Sequence, residues 1–89
     1  MFIIINKCYG GFHIPDPLCV EYGLSRYDDM DRDDPRLVEF VREHGGDYRE
    51  GSSRLWLVEI PADATDWELD EYDGFERVTY VVGGKLFHT

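Results

Sequence analysis

Phe2-Ile3-Ile4-Ile5-Asn6-Lys7-Cys8-Tyr9-Gly10-Gly11-Phe12 is the stretch whose reading decides the fold. Phe2–Lys7 is β-branched and apolar on both faces, which predicts a buried strand in a central position. Gly10-Gly11 breaks it. The Cys-aromatic-Gly-Gly-aromatic loop then places a thiol and exposed amides at the carboxyl end of a strand, where α/β-type folds often hold ligands.

Outward from there, Asp16 and Pro17 predict a helix start, with Asp16 as cap and Pro17 in the first turn, where its missing N–H costs nothing. Leu18, Cys19 and Tyr22 supply the inner face, and Gly23 is a natural stop. Asp34-Pro35 repeats the signal after an acidic connector. The second helix is expected over Pro35–His44, with Leu37, Val38, Phe40 and Val41 as its apolar stripe.

Asp47–Ser53 reads as a polar loop. Arg54–Ile60 reads as a strand, with Leu55 and Leu57 on one face and Trp56, Val58 and Ile60 on the other. Trp67–Tyr72 alternates as an edge strand with one wet face. Asp73-Gly74 turns the chain into Phe75–Val82, and Gly83-Gly84 makes a two-residue hairpin into Lys85–His88. The expected fold is α+β in the order β-α-α-β-β-β, with a possible final β. A single small domain over 1–89 would carry one mixed sheet, with both helices packed on one face.

Composition narrows the function classes. Acids outnumber bases 19 to 9, for a net charge of −10 in 89 residues. DNA binding needs Lys and Arg to displace counterions, so direct nucleic-acid binding is disfavoured, and anionic membranes with it. The expected partner is a protein with a basic surface. The two cysteines, Cys8 and Cys19, form no C-x-x-C. Neither a signal peptide nor a membrane span is legible, so the chain reads as cytoplasmic with reduced thiols.

Three candidate sites follow. Cys8, beside Lys7 and five residues before His13, is the one nucleophile candidate, with His13 as its base; no third, orienting group is legible. Tyr9, Gly10, Gly11 and Phe12 could offer amides to a small anion or nucleotide, although no phosphate-loop motif accompanies them. The acidic band Asp63, Asp66, Glu68, Asp70, Glu71, Asp73 and Glu76 is the third. Same-face residues on a strand recur every ~6.6–6.8 Å, so a carboxylate row could occupy a groove built for nucleic acid. Trp67 and Tyr72 set among those acids favour an interface.

No metal or cofactor is expected. Asp29-Met30-Asp31-Arg32-Asp33 imitates the start of a calcium loop, but Asp34 stands where the turn glycine belongs and Phe40 where the bidentate Glu belongs. His13, His44 and His88 lack metal-ligand spacing.

Three segments carry a resemblance: Ile5–Phe12, Arg32-Asp33-Asp34-Pro35-Arg36-Leu37-Val38, and Val58-Glu59-Ile60-Pro61 leading to Trp67–Gly74. Together they resemble a small protein family widespread in bacteriophage and prophage genomes, whose members are carried as hypothetical proteins. The match reaches to about Glu76. The first helix departs from it around Pro15 and Pro17, and the tail Arg77–Thr89 reads as a hairpin where relatives end in a short charged-aromatic tail. The resemblance implies a viral context rather than a mechanism. The expectation is a non-enzymatic, phage-type accessory protein that inhibits a host defence enzyme in the manner of an anti-CRISPR. The alternatives are an anion-binding, signal-sequestering protein at the Cys8–His13 loop and a thiol-dependent enzyme using Cys8.

Overall fold

A computed structural model describes residues 1–9 and 11–89. The chain runs β1 (Phe2–Asn6), α1 (Asp16–Tyr22), α2 (Pro35–Glu43), β2 (Asp47–Glu50), β3 (Ser53–Glu59), β4 (Asp66–Tyr72), β5 (Phe75–Val82) and β6 (Lys85–His88). The class is α+β. The single mixed sheet is corrected to two three-stranded sheets, ordered β1-β3-β2 and β4-β5-β6, with antiparallel pairing throughout.

Period-2 alternation explains the layering. Ile4 and Leu55 point to one side of the first sheet, where Leu18 of α1, Leu37 and Val41 of α2, Ile14 and Met30 close a buried cluster. Both helices therefore lie on one face. Ile3 and Ile5 point the other way, with Ile60, onto Val78 of β5 and the half-buried Trp67, Leu69 and Tyr80. Helices, first sheet and second sheet thus form three layers, each sheet burying at least one apolar face.

β1 has the composition of a central strand but sits at the edge of its sheet. Its free side is sealed by other means. Ile4 N–H donates to the Arg32 carbonyl at 2.8 Å, and Asn6 N–H donates to Glu76 Oε1 at 2.9 Å. Edge amides satisfied by a connector and a carboxylate need no further strand, so the second sheet stacks on the first instead of extending it.

The segment expected as the loop Asp47–Ser53 contains β2, joined to β3 through Gly51 at φ 59°. Its polar residues hid it, because a short edge strand with one wet face needs little apolar content. Tyr48 carries its inner face, its ring 4.7 Å from Phe40 and 4.7 Å from His44.

α1 is also capped differently. Pro15 is the cap, Asp16 opens the helix, and the Asp16 N–H donates to Glu50 Oε1 at 3.0 Å. Tyr22 lies outside the core, 44% exposed, beneath the Arg36 guanidinium. α2 starts as expected: Asp34 accepts from Arg36 N–H at 2.9 Å, with Pro35 at the first position. Asp73 and Gly74 (φ 51° and 90°) and Gly83 and Gly84 (58° and 79°) make both expected tight turns. Those left-handed pairs match the twist of the hairpins they close.

Candidate functional site

The N-terminal strand and its loop, the connector before α2 and the β4–β5 turn meet in space. Glu76 is 6% exposed and accepts from Arg32 Nη2 at 2.8 Å and from Arg32 Nε at 3.2 Å. The Arg32 guanidinium lies 3.6 Å over the Phe12 ring. Asn6, fully buried, donates through Nδ2 to the carbonyls of Gly74 at 2.6 Å and Cys8 at 3.0 Å. Among the described residues, no buried side-chain nitrogen or oxygen of Asn6, Arg32 or Glu76 lacks a partner. The chemistry of this junction is that of a fastener between the N-terminal strand, the connector and β5.

This junction corrects one assignment. Glu76 belongs to the acidic band in sequence, but its side chain points inward and is neutralised by Arg32, so it presents no charge to a partner. Trp67 is half-buried against the Ile3, Ile5, Ile60 and Val78 cluster and still lines clefts beside β4. Strand alternation places both on the inner face of the second sheet.

Cys8 and His13 are placed apart in role. Cys8 Sγ donates to Asn6 Oδ1 at 3.0 Å. His13 instead faces α1 and β2, with Nε2 3.3 Å from Arg26 Nη2 and Nδ1 3.9 Å from Glu50 Oε2. Arg26 also bridges Asp16 at 3.2 Å and Glu50 at 3.7 Å. Glu50 Oε1 receives the Tyr48 hydroxyl at 2.9 Å, while Oε2 is buried with no hydrogen-bond partner among the described residues. Burial, the Glu50 hydrogen bond and its charge push the Tyr48 phenol up to about 12. Burial, then the Asp16 and Glu50 charges, raises the Cys19 thiol above its ordinary range, which works against a nucleophilic thiolate.

Of the glycine loop, Gly10 lies outside the described residues. Tyr9 is 73% exposed, its ring packed edge-on against Phe75 with centroids 4.5 Å apart. Phe12 is occupied by Arg32.

The acidic band supplies the open surface. Asp66, Glu68, Asp70 and Tyr72 stand on the outer face of β4, opposite Val81, Thr79, Arg77 and Phe75 of β5. Asp70 is held by Thr79 Oγ1 at 2.7 Å and lies 3.7 Å from Arg77. Among the described residues, Asp66 and Glu68 have no basic side chain within ion-pair distance. Glu71 projects to the inner side beyond Leu69, and Asp73 occupies the turn. Tyr72 is 80% exposed. A cleft of about 300 Å³ opens over this face, lined by Asp66, Glu68, Asp70, Thr79, Val81 and Leu86 among others.

A second cleft, of about 450 Å³, lies on the other side of β4, between Trp67 and Leu69 and the connector Met30–Asp33. Asp31 and Asp33 thereby join the neighbourhood of the acidic strand. The sequence presents them only as a helix approach, because nothing local links them to a strand more than thirty residues on. None of the main clefts is lined by Gly11 or Phe12. Among the described residues no helix is long and apolar enough to cross a membrane. No protein-family model, curated protein or solved structure matches the chain.

Proposed function

We propose that this protein is a non-catalytic, phage-type binding protein that occupies the basic, nucleic-acid-handling surface of a host defence enzyme. The observation that carries the reading is the outer column of β4. Asp66 and Glu68 stand on one face with no counter-charge among the described residues, on a chain of net charge −10. A protein surface normally intersperses its charges, and a single-sign column steers toward an opposite one. The thiol reading has less support, since Cys8 is bonded to Asn6 and His13 is engaged with Arg26 and Glu50.

The test is retention of a host partner by tagged protein at moderate salt, wild type against the double reversal Asp66→Lys/Glu68→Lys. Both positions are exposed, so the stability cost should stay within about 0.5 kcal/mol each. Wild type should retain a nucleic-acid-binding protein and release it as salt screens the exposed charges over ~8 Å. The double reversal should retain none. Retention indifferent to both salt and reversal would sink the reading.

A further inference from the structure

The edge of β4 differs from the edge of β1. At β1, the outward amides of Ile4 and Asn6 are taken by Arg32 and Glu76. At β4, among the described residues, no backbone group outside its own sheet bonds to the strand. Two clefts adjoin this strand. One lies over the acidic outer face, the other between Trp67 and Leu69 and the connector carrying Asp31 and Asp33.

An extended peptide that adds to a sheet edge sends alternate side chains to opposite faces, and each set needs its own receptacle. β4 offers both. The outer set would meet Asp66, Glu68 and Asp70; the inner set would meet the apolar flanks of Trp67 and Leu69 beside the connector, where Asp31 and Asp33 flank Arg32, whose charge is taken by Glu76. Charge decides the occupant. A second copy of β4 would set Asp and Glu opposite Asp and Glu, and like charges directly opposite destabilise a strand pair. Lysines or arginines at every second position would complement the column.

We infer that the β4 edge is a docking site for an extended basic segment of a partner protein, in which cationic residues alternate with apolar ones and which adds as a further strand of the second sheet. This inference rests on the binding function proposed above and names the partner element that function would use.

The test uses the full chain and a peptide alternating lysine and valine, matched to the seven residues of β4. Two control peptides accompany it. One is N-methylated at alternate amides, which removes strand hydrogen bonds and keeps the charge. The other has the same composition with its lysines in one block. Titration calorimetry should show the alternating peptide binding, with methylation or blocking weakening it by about tenfold or more. Amide exchange along β4 should slow in the complex. Equal binding of all three peptides would overturn edge pairing and leave a purely electrostatic surface. No peptide binding, with the host partner still lost on the Asp66→Lys/Glu68→Lys reversal, would overturn the edge site alone. No peptide binding and a partner indifferent to the reversal would overturn both readings.

Discussion

Arg32 and Glu76, 44 residues apart in sequence, meet in a two-pronged ion pair whose carboxylate also receives the Asn6 amide. The pair closes the free edge of β1 and ties the connector to the second sheet. Removing one partner from such a buried pair leaves the other uncompensated. Glu76→Ala should therefore cost about 3–5 kcal/mol in denaturant unfolding. A double replacement of Arg32 and Glu76 by apolar residues of similar volume should cost less than Glu76→Ala alone. A single-variant loss under about 1 kcal/mol would show that the junction carries little of the stability.

Tyr48 gives a signature at alkaline pH. Its hydroxyl donates to Glu50, and its folded value is raised from 10.0 to about 12. A raised folded value stabilises the fold fully below the unfolded value, and that contribution is lost as pH rises through the folded one. Stability should thus fall between about pH 10 and 12. Tyr48→Phe should lose the component of the phenolate absorbance titration near pH 12 and flatten that part of the stability profile.

Asp34 acts at the opposite end of the scale. The Arg36 side chain holds the Asp34 carboxyl below its ordinary value; burial opposes it, and the Arg36 backbone amide and charge add to the lowering. A depressed folded value gives stability that is present above the unfolded value and lost as pH falls through the folded one. Asp34→Ala should cost about 0.5–2 kcal/mol at neutral pH, the usual range for a lost cap. That difference should shrink in denaturant melts below about pH 4.

Within α2, Leu37 and Val41 are fully buried, whereas Phe40 is half-buried against Tyr48 and His44. Leu37→Ala should cost about 2–5 kcal/mol. Phe40→Ala should cost less, about 1–3 kcal/mol, since only part of the ring leaves water. The reverse order in paired unfolding curves would place Phe40 in the core.

Local signals carried the parts of the fold that local physics controls. The Asp34-Pro35 start, the two tight turns and the strands Phe75–Val82 and Lys85–His88 are all readable from residue type and period. The alternation of Leu55 and Leu57 against Trp56, Val58 and Ile60 sorts Leu55 and Leu57 into one cluster and Val58 and Ile60 into the other, while Trp56 stays exposed. What escaped was non-local. β1 reads as central because its apolar faces are both covered, yet its edge is closed by Arg32 and Glu76. The same blindness left Glu76 among the surface acids. For the candidate site, Asp66, Glu68 and Asp70 stand where alternation puts them, while the approach of Asp31 and Asp33 to β4 depends on how the connector crosses the sheets.

The β1 edge bears on how the chain assembles. β4, β5 and β6 are joined by two-residue turns and can zip from neighbouring residues, with little loop entropy to overcome. β1 has no such neighbour. Its ladder partner is β3, pairing Phe2 with Glu59, and its last amide waits for the Glu76 side chain. On a growing polypeptide β1 is made before β3 and β5, so its ladder and its Asn6–Glu76 bond must wait for them. Three adjacent isoleucines stay uncovered until most of the chain has been synthesised, and that interval is when the nascent protein is most open to capture by chaperones or by its own copies.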